Sequence, residues 1–187
     1  MEKSNYNNVI LISGSGRNSG KTTVACHIIS QLARKGNVIG LKISPHFHAS
    51  GVGQELVISN PRYHIYREHD ANTGKDSSRM LSAGASVVYF IQCTDENLEF
   101  IEEDFRKIVS PDVPIVCESG SFSNVFNPGF QLLVIGENPD KTKVSFLSNI
   151  EKSDQKINRD DFSQDWFSYM IDFESKRGYT LAVIDDK

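Results

Sequence analysis

Ser13-Gly14-Ser15-Gly16-Arg17-Asn18-Ser19-Gly20-Lys21-Thr22-Thr23 follows the apolar run Val9-Ile10-Leu11-Ile12 and opens an amphipathic run from Lys21 to Lys35. In that run Val24, Ala25, Ile28, Ile29 and Leu32 recur at helical spacing, so one stripe is expected to face a sheet. A strand, a glycine-rich turn and a helix with Lys-Thr in its first turn form the context of a phosphate-binding loop. Backbone N–H groups of such a turn converge on phosphate oxygens, and the helix N-terminus adds about half a positive charge. The spacing assigns nucleotide contacts to Gly14, Gly16, Arg17, Asn18, Ser19, Gly20, Lys21, Thr22 and Thr23. Lys21 is expected to reach the outer phosphates and the Thr22 hydroxyl to ligate Mg²⁺. In the pattern G-x-x-x-x-G-K-[ST] the first glycine would fall on Ser15, which Gly14 and Gly16 flank instead.

Working outward, Val38-Ile39-Gly40-Leu41 reads as a second strand that delivers Lys42-Ile43-Ser44-Pro45-His46-Phe47-His48. Strand, helix and strand in this order make a βαβ unit, which implies a right-handed crossover and a parallel sheet. Residues 44–75 interrupt the pattern with four of the five histidines, and Tyr63 to Glu68 reads there as a short strand or a hairpin arm. Asn72-Thr73-Gly74 reads as a turn, and Asp76 to Leu81 as a short helix ended by Gly84, whose polar start could cap it or present Asp76 and Arg79 to the crevice.

Val87 to Ile91 is an apolar third strand, followed by a helix with Leu98, Ile101, Phe105, Ile108 and Val109 inward and an acidic face outward. Ile115-Val116-Cys117 and Phe130 to Ile135 supply two more strands. Val144 to Leu147 reads as a strand and Lys152 to Asp161 as a polar loop. Phe162, Trp166, Met170 and Phe173 share one helical face, and Tyr179 to Ile184 closes the chain as a strand. The expected architecture is α/β, a three-layer P-loop NTPase fold with a mostly parallel central sheet flanked by helices. Residues 1–187 make a single domain, with 44–75 as a His-rich insertion and 137–187 as a divergent C-terminal segment.

Composition narrows the function. With 39% hydrophobic and 24% charged residues the chain reads as an ordinary globular protein. A formal charge of −4 argues against a surface that coats nucleic acid. No apolar run approaches the roughly 20 residues of a membrane helix, and Met1 to Asn8 carry no apolar signal core. Cys26, Cys93 and Cys117 lie inside predicted helices or strands without C-x-x-C spacing, which fits a cytoplasmic location.

Beyond the loop, Glu118 stands at the carboxyl end of a buried strand, where a parallel sheet presents its ligand crevice. A carboxylate there can hold Mg²⁺ together with Thr22. His46 and His48 form an H-x-H pair that could contact phosphate or substrate, hold a transition metal, or belong to a plain loop. Lys42, His46, Asp76 and Arg79 are the candidate substrate or partner contacts. No residue is assigned a catalytic role.

Taken together these positions resemble the B protein of molybdopterin-guanine dinucleotide biosynthesis, the MobB family. The likeness rests on Asn18 to Thr23, on Gly40-Leu41-Lys42 before a His-rich turn, and on Gly74-Lys75-Asp76-Ser77 with Arg79-Met80-Leu81-Ser82-Ala83-Gly84-Ala85. Glu118-Ser119-Gly120 continues it, and the likeness runs from residue 9 to about 135. The resemblance implies a small homodimeric GTP-binding protein of the signal-recognition, MinD and dethiobiotin-synthetase branch. It also implies slow hydrolysis and a partner that transfers a nucleotide to molybdopterin. By matching position, Lys21 and Thr22 would bind phosphate and Mg²⁺ and Glu118 would coordinate the metal. The chain departs from the family after Glu118, where Ser-Gly-Ser-Phe replaces the usual Gly-Phe-Lys. It carries no Asn-Lys-x-Asp guanine-reading motif, and Asn138-Pro139-Asp140 is a weak substitute. GTP and ATP therefore both stand as ligands. A small-molecule kinase or ligase of dethiobiotin-synthetase type and a non-catalytic binding module are the alternatives.

Overall fold

The computed structural model describes residues 2–49, 51–139, 144–159, 169–174 and 178–183. Its centre is an eight-stranded sheet built from β1 (Asn5–Gly14), β2 (Ile39–Ser44), β3 (Gln54–Asn60), β4 (Tyr63–Glu68), β5 (Val87–Cys93), β6 (Ile115–Glu118), β7 (Asn127–Ile135) and β8 (Gln155–Asn158). The strand order is β3-β4-β5-β2-β6-β1-β7-β8. The six strands from β5 to β8 run parallel, and β3 and β4 extend one edge antiparallel. The expected α/β class with a mostly parallel sheet flanked by helices is what the chain forms.

Why the inner strands are apolar follows from their position. Val9 to Ile12 and Ile115 to Cys117 are fully buried because helices cover both faces of the sheet. On one face α1 (Lys21–Leu32) and α2 (Asp76–Ser82), the latter through Met80, pack with Ile10, Ile12, Val88 and Val116. On the other face lies a 3-10 turn (Asp95–Ile101) that runs into α3 (Glu102–Ile108), with α4 (Phe122–Val125) beside it. Leu98, Ile101, Phe105, Phe122 and Phe126 there meet Val9, Leu11 and Leu41. The acidic face of α3 is partly engaged: Asp104 accepts the Tyr63 hydroxyl at 2.7 Å and Glu102 accepts that of Ser4 at 2.6 Å.

Three C-terminal expectations are corrected. Val144 to Leu147 is not a strand but the start of α5 (Val144–Lys152), since Phe146 and Asn149 bury at helical spacing. Within the expected polar loop from Lys152, β8 adds a parallel edge strand to β7. Only Ile157 of β8 is buried, so its sequence shows almost no alternation. Phe162 and Trp166 lie outside the described residues, and Met170 and Phe173 belong to a strand, β9 (Tyr169–Glu174), rather than a helix. β9 pairs antiparallel with β10 (Gly178–Val183), the strand expected at the end of the chain.

This two-stranded sheet packs on α1 and on the amino ends of the central strands. The buried Tyr179 hydroxyl lies 2.7 Å from the Asn8 carbonyl and 3.0 Å from that of Ile115, and accepts the Ile115 N–H. Among the described residues no helix is long and apolar enough to cross a membrane.

Candidate functional site

The carboxyl ends of the parallel strands open into a cleft of about 650 Å³. The loop between β1 and α1 forms one wall. Ser15 N–H donates to the Val134 carbonyl at 2.9 Å, and Ser15 Oγ accepts Gly136 N–H at 2.8 Å. The residue standing where the motif expects glycine therefore ties the loop to β7. Gly14 carries the steric constraint instead, because a Cβ there would lie 2.4 Å from Ser19 Oγ and 2.7 Å from the Lys21 side chain. Asn18 at φ 57° and Gly20 at φ 98° turn the backbone left-handed just before α1, and Asn is among the few side chains that tolerate this. Lys21 folds back across the loop, its Nζ donating to the Gly16 carbonyl at 2.6 Å and to Ser19 Oγ at 3.2 Å.

Opposite the loop, Lys42, Glu118 and Ile12 stand level on adjacent parallel strands. Strand alternation sends Gly40 and Lys42, and Val116 and Glu118, to the face that α1 and α2 cover. Lys42 Nζ donates to Glu118 Oε1 at 2.5 Å and pairs with Asp76 Oδ2 at 2.8 Å. The Thr22 hydroxyl lies 2.8 Å from Glu118 Oε2 and 3.0 Å from Asp76 Oδ1. A hydroxyl has one proton, so Thr22 satisfies one carboxylate at a time, and the Lys42 ammonium balances the charge of the two.

Burial opposes the charge on Lys42, but Glu118 and Asp76 outweigh it and hold its pKa above the usual 10.5. Burial likewise pushes Asp76 up, and the Lys42 charge and hydrogen bonds from Lys42 and Thr22 reverse this, leaving its carboxyl below 3.8. The neighbouring thiols are poor nucleophiles. Burial lifts Cys26 to about 11, with Arg79 opposing and Glu118 and Asp76 adding to it, and burial raises Cys117 well above 9.0.

All of the residues assigned from sequence line this one cleft: Gly14, Gly16 to Thr23, Lys42, His46, Asp76, Arg79 and Glu118. Arg17, Asn18, His46 and Arg79 are exposed on its rim, with Arg79 reaching Thr23 Oγ1 at 3.3 Å. Of the two roles open to the start of α2, capping and presentation to the cleft, no side-chain cap forms, and Asp76 and Arg79 line the cleft. Asp76 turns to Thr22 and Lys42, and Ser77 donates to the buried Glu68 at 2.7 Å. The rings of His46 and His48 are 6.1 Å apart, and the described residues contain no group of three or more His, Cys, Asp or Glu placed to hold a metal ion.

Sequence reading missed Ser145 and Arg159, which also line the cleft. Ser145 was hidden by reading α5 as a strand. Arg159, 3.8 Å from Glu137, sits in a polar tract that gives no motif. Asn138 and Pro139 are described but do not line the cleft, and Asp140 lies outside the described residues.

Mg²⁺ is the metal implied by the resemblance. It takes hard oxygen donors and keeps several waters, so it needs only a few protein or phosphate oxygens. The Thr22 hydroxyl and the Glu118 and Asp76 carboxylates are such oxygens, brought together from α1, β6 and α2. The donor set fits. Comparison of the chain with protein-family models and with curated proteins finds no match.

Proposed function

We propose that the chain binds the magnesium complex of a nucleoside triphosphate, GTP or ATP, in this cleft. The observation that carries the reading is the meeting of Thr22 with Glu118 and Asp76 directly beside the glycine loop and Lys21. Loop N–H groups and the α1 N-terminus would hold the β- and γ-phosphate oxygens, with Lys21 swinging from the Gly16 carbonyl onto them. Thr22, Glu118 and Asp76 would hold Mg²⁺, which neutralises phosphate charge. Lys42 pairs with both carboxylates and holds them toward Thr22.

Within this reading the role is that of a MobB-like adaptor in molybdenum cofactor guanylylation, with slow hydrolysis and a molybdopterin nucleotidyltransferase as partner. Its support is the resemblance carried by the loop, the Lys42 turn, the Lys75-Asp76-Ser77 segment and Glu118-Ser119-Gly120. Homodimerisation belongs to the same proposal. The outer edge of β3, where Leu56 and Val57 are exposed, is the surface assigned to it. Three free thiols support a reducing, cytoplasmic setting. A small-molecule kinase or ligase is the second reading, favoured by one observation: Lys42 and Asp76 also line a neighbouring cavity.

Calorimetric titration with GTP, ATP and their diphosphates, with and without Mg²⁺, tests the reading. Slow turnover at saturation supports the adaptor, and turnover strongly stimulated by one small molecule supports the kinase.

A further inference from the structure

A second cavity of about 280 Å³ adjoins the cleft, and Lys42, Ser44, His48 and Asp76 line both. Its apolar surface is Phe90, half-buried and stacked on Tyr66 with ring centroids 6.2 Å apart. Its cationic corner is Lys75, which forms no ion pair among the described residues. The Lys75 ammonium lies over Gly51, where an added Cβ would come within 1.8 Å of Nζ. Asp76 is the single carboxylate lining the cavity and shares the Lys42 ammonium with Glu118, so Lys75 is the cation lining the cavity that has no ion-pair partner among the described residues.

The walls are fixed independently of any ligand. The buried Glu68 accepts Gln54 Nε2 at 3.1 Å and Ser77 Oγ at 2.7 Å, locking β3, β4 and α2 together. Gln54 Oε1 accepts the Gly51 N–H at 3.0 Å, which sets the backbone beneath Lys75. Gln92 Nε2 donates to the His48 carbonyl at 3.0 Å and holds the remaining wall.

We infer that this cavity is a binding site for a small organic anion, a carboxylate or phosphate monoester of about a dozen non-hydrogen atoms. Its anionic group sits at Lys75, and its apolar face lies on Phe90. Placement beside Lys42 and Asp76 couples it to the nucleotide, so each ligand alters the affinity of the other by the same factor. The cavity stands without the nucleotide reading, and only the coupling rests on that reading.

The test is titration of the full chain with phenylacetate, phenyl phosphate and neutral 2-phenylethanol, followed by NMR, with and without saturating magnesium nucleotide. The expected result is saturable binding of one or both anions at about a millimolar or tighter. 2-Phenylethanol should not bind, and resonance shifts should centre on Phe90 and Lys75. Lys75→Ala should weaken the anion at least about tenfold, Lys75→Arg should restore most of it, and nucleotide affinity should be unchanged. Three results overturn the site: no anion binding by a protein that binds nucleotide, competition between anion and nucleotide, or Lys75→Ala without effect. Anion binding by a protein that ignores nucleotide keeps the cavity and removes the nucleotide reading.

Discussion

Lys42 and Glu118 are register partners on adjacent parallel strands, and their side chains meet at 2.5 Å beneath the glycine loop. Each is set there by a different part of the chain, β2 by the first crossover and β6 by the turn after α3. Asp76, from the first turn of α2, completes the charge cluster, and the hydroxyl of Thr22 touches both carboxylates.

Removing Lys42 leaves two carboxylates against one hydroxyl. Lys42→Met is expected to lower stability by about 2 kcal/mol, the lower side for a broken buried pair, because Asp76 remains 43% exposed and screened. The variant should gain more thermal stability from added Mg²⁺ than the natural chain does, since the ammonium no longer competes for the same oxygens. Melting curves with and without Mg²⁺ measure this, and equal gains would contradict a metal role for the pair.

The same cluster sets a pH dependence. The Asp76 pKa is depressed in the folded state, so its contribution is present above 3.8 and lost as pH falls through the lower folded value. The Lys42 pKa is raised, so its contribution is present below 10.5 and lost as pH climbs through the higher folded value. The stability gap between the natural chain and Lys42→Met should therefore stay flat through the neutral range. It should shrink in acid, where Asp76 takes up a proton and its pairing with Lys42 is lost. Chemical denaturation across pH reads the gap directly.

Glu118→Gln keeps the shape and removes the charge. Nucleotide affinity in Mg²⁺ should fall at least about tenfold, roughly 1.4 kcal/mol, while affinity measured in chelator should hardly change. Equal losses in both conditions would make Glu118 structural.

Gly14→Ala places a methyl group against Ser19 Oγ and the Lys21 stem. Lys21 must then leave its seat over the loop, and overpacking costs about 1–3 kcal/mol. A drop in both nucleotide affinity and melting temperature is expected, whereas Ser15→Gly should loosen only the tie to Gly136.

Tyr179→Phe tests the opposite end of the molecule. Losing the hydroxyl leaves the Ile115 N–H without its partner, a cost of about 1–3 kcal/mol. Stability should fall with nucleotide affinity intact, because the contact lies at the amino ends of the strands, away from the cleft.

The parallel core was legible because its strands are buried on both faces and read as unbroken apolar runs. The cleft was legible because Lys21, Lys42, Asp76 and Glu118 each sit at the end of a readable element. Asp76 and Ser77 kept two readings for a physical reason: their position suits a helix cap as well as the cleft, and only the folded sheet brings Thr22 and Glu68 within reach. β3 and β8 are edge strands with one or no buried side chain, so alternation is faint in both. α5 buries Phe146 and the polar Asn149, whose amide serves Gly120 and Gln131, while Val144 and Leu147, the apolar residues that suggest a strand, are exposed.

The central claim is that Lys21 and Thr22 hold a magnesium nucleotide, and the most direct measurement is calorimetry of GTP and ATP binding to the natural chain and to Lys21→Ala. The account predicts saturable binding of one or both triphosphates that strengthens with Mg²⁺. It also predicts loss of at least about a hundredfold, roughly 2.7 kcal/mol, in Lys21→Ala, with an unchanged far-ultraviolet circular dichroism spectrum. Equal affinity in the two proteins, or no Mg²⁺-dependent binding by the natural chain, would contradict it.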